Sequence, residues 1–262
     1  VGHGALYANT TVGDLTAVGY QSLYANTTGT KNTALGRQGL VANTTGTSNT
    51  SVGYKALSTN IEGDNNVAVG DDALSVNLAS NNTAVGSRSL LLNTTGVDNT
   101  AIGYTALDEN TTGAENVAVG KDALGHNTTG ASNTAVGYIA LANNTTATGN
   151  TAIGHNTLKD NTTGTLNTAV GRDALTANTT GGTNTAVGRE ALAGNTTGSE
   201  NVALGVSCLM SNITGTDNVG VGTSTLKNNT NSFNTAVGDR CMEKNTSGTN
   251  NTALGHQALF NN

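Results

Sequence analysis

A single pattern of about 17 residues fills the chain from end to end. From Asn167 it reads Asn-Thr-Ala-Val-Gly-Arg-Asp-Ala-Leu-Thr-Ala-Asn-Thr-Thr-Gly-Gly-Thr, and Asn184 starts it again. Units start at 15, 32, 49, 66, 82, 99, 116, 133, 150, 167, 184, 201, 218, 234 and 251. The spacing is 17 except for 16 after Asn66 and after Asn218, and both short units lose a residue near their second glycine, which marks that stretch as a loop. The reading is one continuous repeat domain over 1–262: a partial unit at 1–14, full units over 15–250 and a partial unit at 251–262. A fixed period of this kind is the signature of an architecture in which each unit packs on its neighbours.

Numbering each unit in columns 1 to 17 gives the pattern physical content. Column 2 is Thr or Val, column 3 is small and column 4 is Val, Ile or Leu, the period-two alternation of a short strand. Column 5 is glycine in every unit, including Gly19, Gly36, Gly53 and Gly171, which implies a positive φ or a close backbone approach. Column 8 is small, and column 9 is Leu, as in Leu175 and Leu192, with Met242 the one exception. Column 12 is always Asn, as in Asn26 and Asn178, and column 13 is Thr, Ile or Leu. Columns 6–7, 10–11 and 16–17 vary freely and hold nearly all charges and tyrosines, so they read as solvent-facing corners.

A helix is excluded by glycine content, since each interior glycine costs about 1 kcal/mol, and by apolar spacing that follows no 3.6-residue stripe. The expectation is an all-β fold, a parallel β-solenoid or β-roll of 17-residue coils, with like side chains stacked at about 4.8 Å. Fifteen laps would then span roughly 70 Å. Columns 2, 4, 9 and 13 are expected to fill the core, and the column-12 asparagines to form an amide ladder. Four side chains per lap make a thin core. The small residues of columns 3 and 8 would let neighbouring chains approach closely, so a homotrimer with those columns on a shared axis is expected.

Leu, Ile, Val and Phe make up 50 of 262 residues, too few for an ordinary globular core of this length. Disorder fits poorly, because the chain is rich in Thr, Val and Asn, lacks proline and carries a net charge of only −6. No apolar run long enough for a membrane helix exists, no leader pattern opens the sequence, and 11 basic against 17 acidic residues leave no footprint for nucleic acid. The pattern starts mid-unit at Val1 and neither end carries a capping sequence, so flanking regions are expected.

The unit Asn-Thr-Ala-Val-Gly-x-x-Ala-Leu-x-x-Asn-Thr-Thr-Gly resembles repeats of phage tail-fibre proteins and related bacterial surface proteins. Its Thr-Ala-Val-Gly core, at 134–137 and 168–171, is similar to the Val-Ala-Ile-Gly motif in the heads of trimeric autotransporter adhesins. The resemblance covers essentially the whole chain. It implies a trimeric, left-handed parallel β-roll, extracellular on a virion tail or cell-surface appendage, forming a stiff rod that supports attachment to a host receptor or glycan. The 17-residue period departs from the shorter one of adhesin heads, and no chaperone domain, heptad segment or anchor accompanies it.

Chemical sites are sparse. His3, His155 and His256 fall in column 6 and His126 in column 11, with no ligand spacing between them. Asp71 and Asp72 form an isolated acidic doublet. Cys208 and Cys241, both in column 8 and two laps apart, would lie beyond disulfide reach and read as small buried thiols. No nucleophile elbow, phosphate loop or calcium β-roll motif occurs, so neither catalysis nor a cofactor or metal is expected. Asn-Thr-Thr is a formal glycosylation acceptor, but a buried ladder would leave no room for a glycan. Tyr20, Tyr54, Tyr104 and Tyr138, all in column 6, are the candidate surface contacts. The alternative function is an ice-binding β-solenoid using stacked threonines, since Thr-Gly-Thr recurs at 28–30, 45–47, 163–165 and 214–216 before breaking at Val97, Ala114, Ala131 and Gly182. A polysaccharide-cleaving solenoid would need a carboxylate cluster across several laps, and the column 6–7 carboxylates are scattered among Arg and Lys.

Overall fold

A computed structural model describes residues 1–10 and 13–261. Among the described residues it is all-β, with fifteen three-residue strands and no helix. They are β1 (Thr16–Val18), β2 (Thr33–Leu35), β3 (Thr50–Val52), β4 (Val67–Val69), β5 (Thr83–Val85), β6 (Thr100–Ile102), β7 (Val117–Val119) and β8 (Thr134–Val136). There follow β9 (Thr151–Ile153), β10 (Thr168–Val170), β11 (Thr185–Val187), β12 (Val202–Leu204), β13 (Val219–Val221), β14 (Thr235–Val237) and β15 (Thr252–Leu254). The chain divides into two compact units, Val1–Ser132 and Asn133–Asn262.

Each unit is a parallel β-solenoid with one strand per lap. In the first, β1 to β7 pair consecutively and column lies on column, as in Thr16↔Thr33 and Thr100↔Val117. In the second, β8 to β15 do the same. The bonding continues beyond the strands: Leu23 N donates to Gly39 O at 3.0 Å, and Gln38 N donates to Tyr20 O at 2.8 Å. Columns 2 to 4 thus form the strand that their alternation implies.

Which face of that strand is inside differs from the expectation. The central residue of every strand is buried, while columns 2 and 4 are half-buried or exposed. The core comprises columns 3, 8 and 9 together with the asparagines of columns 1 and 12; Ala169, Ala174, Leu175, Leu192, Asn26 and Asn178 are all 0% exposed. Column 13 lies outside, as with Thr27, Ile61 and Leu78. The lap is too tight to hold two β-branched strand residues and a leucine, so the methyl of alanine goes in and the bulk goes out. The small residues are therefore consumed inside one chain, and a trimer axis lined by columns 3 and 8 is overturned.

Volumes between laps are matched at the two glycines of columns 3 and 8 that face a larger residue. Where column 3 is Gly220, a Cβ would lie 2.5 Å from Cys208 Sγ, the larger column-8 residue of the preceding lap. Where column 8 is Gly39, a Cβ would lie 2.7 Å from Ser51 Oγ, the larger column-3 residue of the next lap. Such complementarity is the signature of a close-packed interior.

Column 5 requires glycine for both reasons at once. Gly19, Gly36, Gly53 and Gly171 have φ between 131° and 136°. A Cβ on Gly19 would stand 2.3 Å from Gly36 O of the next lap, and one on Gly171 2.7 Å from the backbone of Gly188. Three further columns adopt left-handed backbone without glycine: column 7, column 9 and column 17, as in Asp173 (φ 59°), Leu175 (φ 49°) and Leu166 (φ 58°). That conformation costs about 1–2 kcal/mol per residue. The column-9 leucines from Leu23 to Leu226 are held there by complete burial and by bonds such as Leu57 N to Ala73 O at 3.0 Å.

Candidate functional site

Two amide ladders run through each unit. In column 12, Asn178 Nδ2 donates to Asn161 Oδ1 at 2.8 Å, and Asn195 Nδ2 donates to Asn178 Oδ1 at 2.8 Å. In column 1, Asn184 donates to Asn167 Oδ1 through both its backbone N (3.0 Å) and its Nδ2 (3.1 Å). The ladders meet at column 15: Gly198 O accepts from Asn184 Nδ2 and Asn195 Nδ2, each at 2.9 Å. The column-12 amide is therefore buried and bonded on both sides, which leaves no space for an N-linked sugar at Asn26, Asn93 or Asn178. The column-12 ladder lapses at the two 16-residue units. There Asn60 Oδ1 and Asn212 Oδ1 are buried without a hydrogen-bond partner.

Column 6 forms a different stack. His3 and Tyr20 lie ring on ring (5.6 Å, 13°), and the Arg37 guanidinium sits between Tyr20 (5.6 Å) and Tyr54 (5.8 Å). Lys55 Nζ is 5.2 Å from the Tyr54 ring, Lys121 Nζ is 6.0 Å from Tyr104, and Tyr138 meets His155 at 5.3 Å. Each of the four tyrosines is 40–51% exposed, yet each has a neighbour from its own chain against its ring. Tyr7 and Tyr24 of column 10 form a further stack (5.0 Å, 4°). The sequence signal for this arrangement is the column itself, which reads His3, Tyr20, Arg37, Tyr54 in successive laps.

Some charged groups are paired on the surface, and the two thiols are buried. His126 Nδ1 lies 3.1 Å from Glu109 Oε2, and His256 Nδ1 lies 3.1 Å from Asp239 Oδ2. Asp108 is pushed above the usual carboxylate range by burial and by Glu109, against the opposing pull of Arg88 at 3.6 Å and of His126. Cys208 and Cys241 are free and buried. Burial pushes the Cys208 thiol up to about 12 and raises Cys241, so both are thiols rather than thiolates at neutral pH. Asp71 and Asp72 fall in the turn after β4 rather than on a strand. Among the described residues no group of three or more His, Cys, Asp or Glu could hold a metal ion. Nor is any helix there long and apolar enough to cross a membrane.

The remaining surface is the outer face of the strands, which sequence reasoning placed inside. Column 4 leaves Val18, Leu35, Ile102 and Val187 39–46% exposed and Leu254 79% exposed. Beside it runs the threonine-rich column 2. Its hydroxyls, from Thr16 to Thr252, make no hydrogen bond among the described residues. The column-13 threonines differ: Thr179 Oγ1 donates to Thr196 O at 3.0 Å, and Thr27 Oγ1 to Thr44 O at 3.1 Å.

These features define a β-solenoid repeat protein of 17-residue laps. No family model matches the chain, and neither the curated proteins nor the solved structures contain a match to it.

Proposed function

We propose that the chain is a structural, non-enzymatic fibre segment of a virion tail fibre or a cell-surface adhesin. It acts outside the cell as a stiff, homotrimeric support for attachment to a host receptor or glycan. The observation that carries this reading is the pair of buried amide ladders joined at the column-15 carbonyl, as at Gly198. They tie each lap to the next through side chains as well as backbone, and buried networks of this kind rigidify. The same few residue types repeat in every lap, an economical way to gain length and stiffness. Tyr20, Tyr54, Tyr104 and Tyr138 are the receptor contacts of this reading, offered as stacked columns rather than as open ring faces. The test is light scattering with electron microscopy of the purified chain. Elongated particles with a mass near three times 26.1 kDa support the reading; a compact monomer sinks it.

A second reading, an ice-binding solenoid, is favoured by the free hydroxyls of column 2 on a flat strand face. It moves the threonine ranks from the Thr-Gly-Thr loops to the strands, where Val67, Val117, Val202 and Val219 interrupt them. Thermal hysteresis of the isolated chain would establish it, and its absence would remove it.

A further inference from the structure

We infer that the outer face of the strands, columns 2 and 4, is where this chain packs against further copies of itself. This rests on the self-assembly part of the function proposed above and assigns it a surface. Three observations converge on a second copy as the occupant.

The first is composition. Every strand offers an aliphatic column-4 residue to solvent, so Val18, Leu35, Val52, Val69, Val85, Ile102 and Val119 form one stripe in the first unit, and β8 to β15 repeat it in the second. Contiguous exposed apolar stripes mark interaction sites. The column-2 hydroxyls alongside have no hydrogen-bond partner among the described residues and can bond across an interface.

The second is charge. No Lys, Arg, Asp or Glu occupies columns 1 to 4 of any unit, and the net charge of −6 arises wholly from the other columns. No like charges therefore oppose the close approach of two copies across this face.

The third is area and pitch. A three-residue strand with its share of the lap spacing presents roughly 50 Å² of flat face. The seven laps of the first unit give roughly 350 Å² and the eight of the second roughly 400 Å², against about 800 Å² per partner in a standard interface. A second copy repeats with the same lap spacing, so its column-4 side chains seat between the column-2 and column-4 rows of the first at every lap. A globular partner matches that period nowhere.

The experiment compares two triple variants of equal net charge by light scattering, with circular dichroism to follow folding. Leu35→Glu, Ile102→Glu and Val187→Glu place a carboxylate on the face every four or five laps; Ser87→Glu, Val206→Glu and Thr223→Glu place the same charges in column 6. The expected result is a multimeric wild type, a multimeric column-6 variant and a folded, monomeric face variant. A face variant that keeps the wild-type mass overturns the face assignment and leaves self-assembly standing. A wild type that is monomeric at all concentrations overturns both. Should the face variant unfold, Leu35→Thr, Ile102→Thr and Val187→Thr replace it, because threonine is native to this sheet surface. Their dissociation constant is expected to rise at least tenfold, and an unchanged constant overturns the assignment.

Discussion

The Cβ that Gly220 lacks would lie 2.5 Å from Cys208 Sγ, one lap earlier. The sulfur thus occupies volume that a column-3 alanine fills in the neighbouring laps. Gly220→Ala should destabilise by about 1–3 kcal/mol through overpacking. Cys208→Ala alone should cost about 1 kcal/mol through the void it leaves. The double variant restores the Ala–Ala pairing of the other laps, so a chemical-denaturation cycle should return close to wild-type stability. Simple additivity would refute the volume match.

Asn178 links three acceptors and donors: its Nδ2 serves Asn161 Oδ1 and Gly181 O, and its Oδ1 accepts from Asn195. Asn178→Ala strands Asn161 Oδ1 in the interior and should cost about 2–4 kcal/mol, since each orphaned buried group costs about 1–3. Asn178→Asp should be worse at pH 7 than at pH 4. Its carboxylate cannot donate, and burial keeps the carboxyl protonated only at the lower pH. Urea midpoints at the two pH values check both statements.

The unit 66–81 has one residue too few, and Asn60 Oδ1 is left unpaired above it. Asn77 Nδ2 bonds Ala79 O at 2.7 Å, and Asn93 resumes the ladder onto Asn77 Oδ1 at 2.7 Å. Inserting a threonine between Leu78 and Ala79 completes a 17-residue lap and brings Asn77 into line with Asn60. An insertion that raises stability by about 1–3 kcal/mol is the expected outcome. A lowered melting temperature would show that the short lap is relaxed as it stands.

Ile139 is a β-branched residue in left-handed backbone, at φ 48°. Asparagine tolerates that region and already occupies the equivalent place at Asn156, φ 56°. Ile139→Asn should therefore stabilise by about 1 kcal/mol, read as a rise in denaturation midpoint. The same change would be unfavourable on a strand.

How far the sequence was legible follows from what stacking reveals and hides. Strict identity in columns 5 and 12 disclosed the lap, because each such side chain or glycine meets its own kind above and below; Asn178 and Gly171 are of that type. Alternation in Thr-Ala-Val disclosed a strand but not its inside, since two faces of period two are equivalent until the width of the lap is known. Ala169 in and Val170 out is decided by the room left beside Leu175, which no local pattern encodes. The left-handed leucines were invisible for a related reason: their conformation is imposed by burial against local preference. At the surface, Tyr20 and Tyr54 were recognisable as exposed, but the Arg37 between them required column 6 to be read down the stack as well as along the chain.

Burial pushes the Cys208 thiol up to about 12 in the folded chain, against about 8.5 for an exposed thiol. A group protonated in the folded chain and ionised in the unfolded one stabilises below the unfolded value and loses that contribution as pH rises past it. Stability should accordingly fall above pH 9 by up to about 1.4 kcal/mol per pH unit, and Cys208→Ser should flatten the slope. Iodoacetamide at pH 8 should leave Cys208 and Cys241 unmodified in the native chain and label both after denaturation, as read by mass spectrometry.

Both short laps return to register at the next strand: Val67 pairs with Thr83 and Val219 with Thr235, sixteen residues on. The strand register is thus undisturbed beyond the short lap, and the defect is limited to the neighbouring amide oxygen, at Asn60 or Asn212. Because each lap is placed by its two neighbours alone, a lap more or fewer leaves the pairing rule of the rest unchanged. Length in such a fold is a quantity set in whole steps, separate from the shape of any one step.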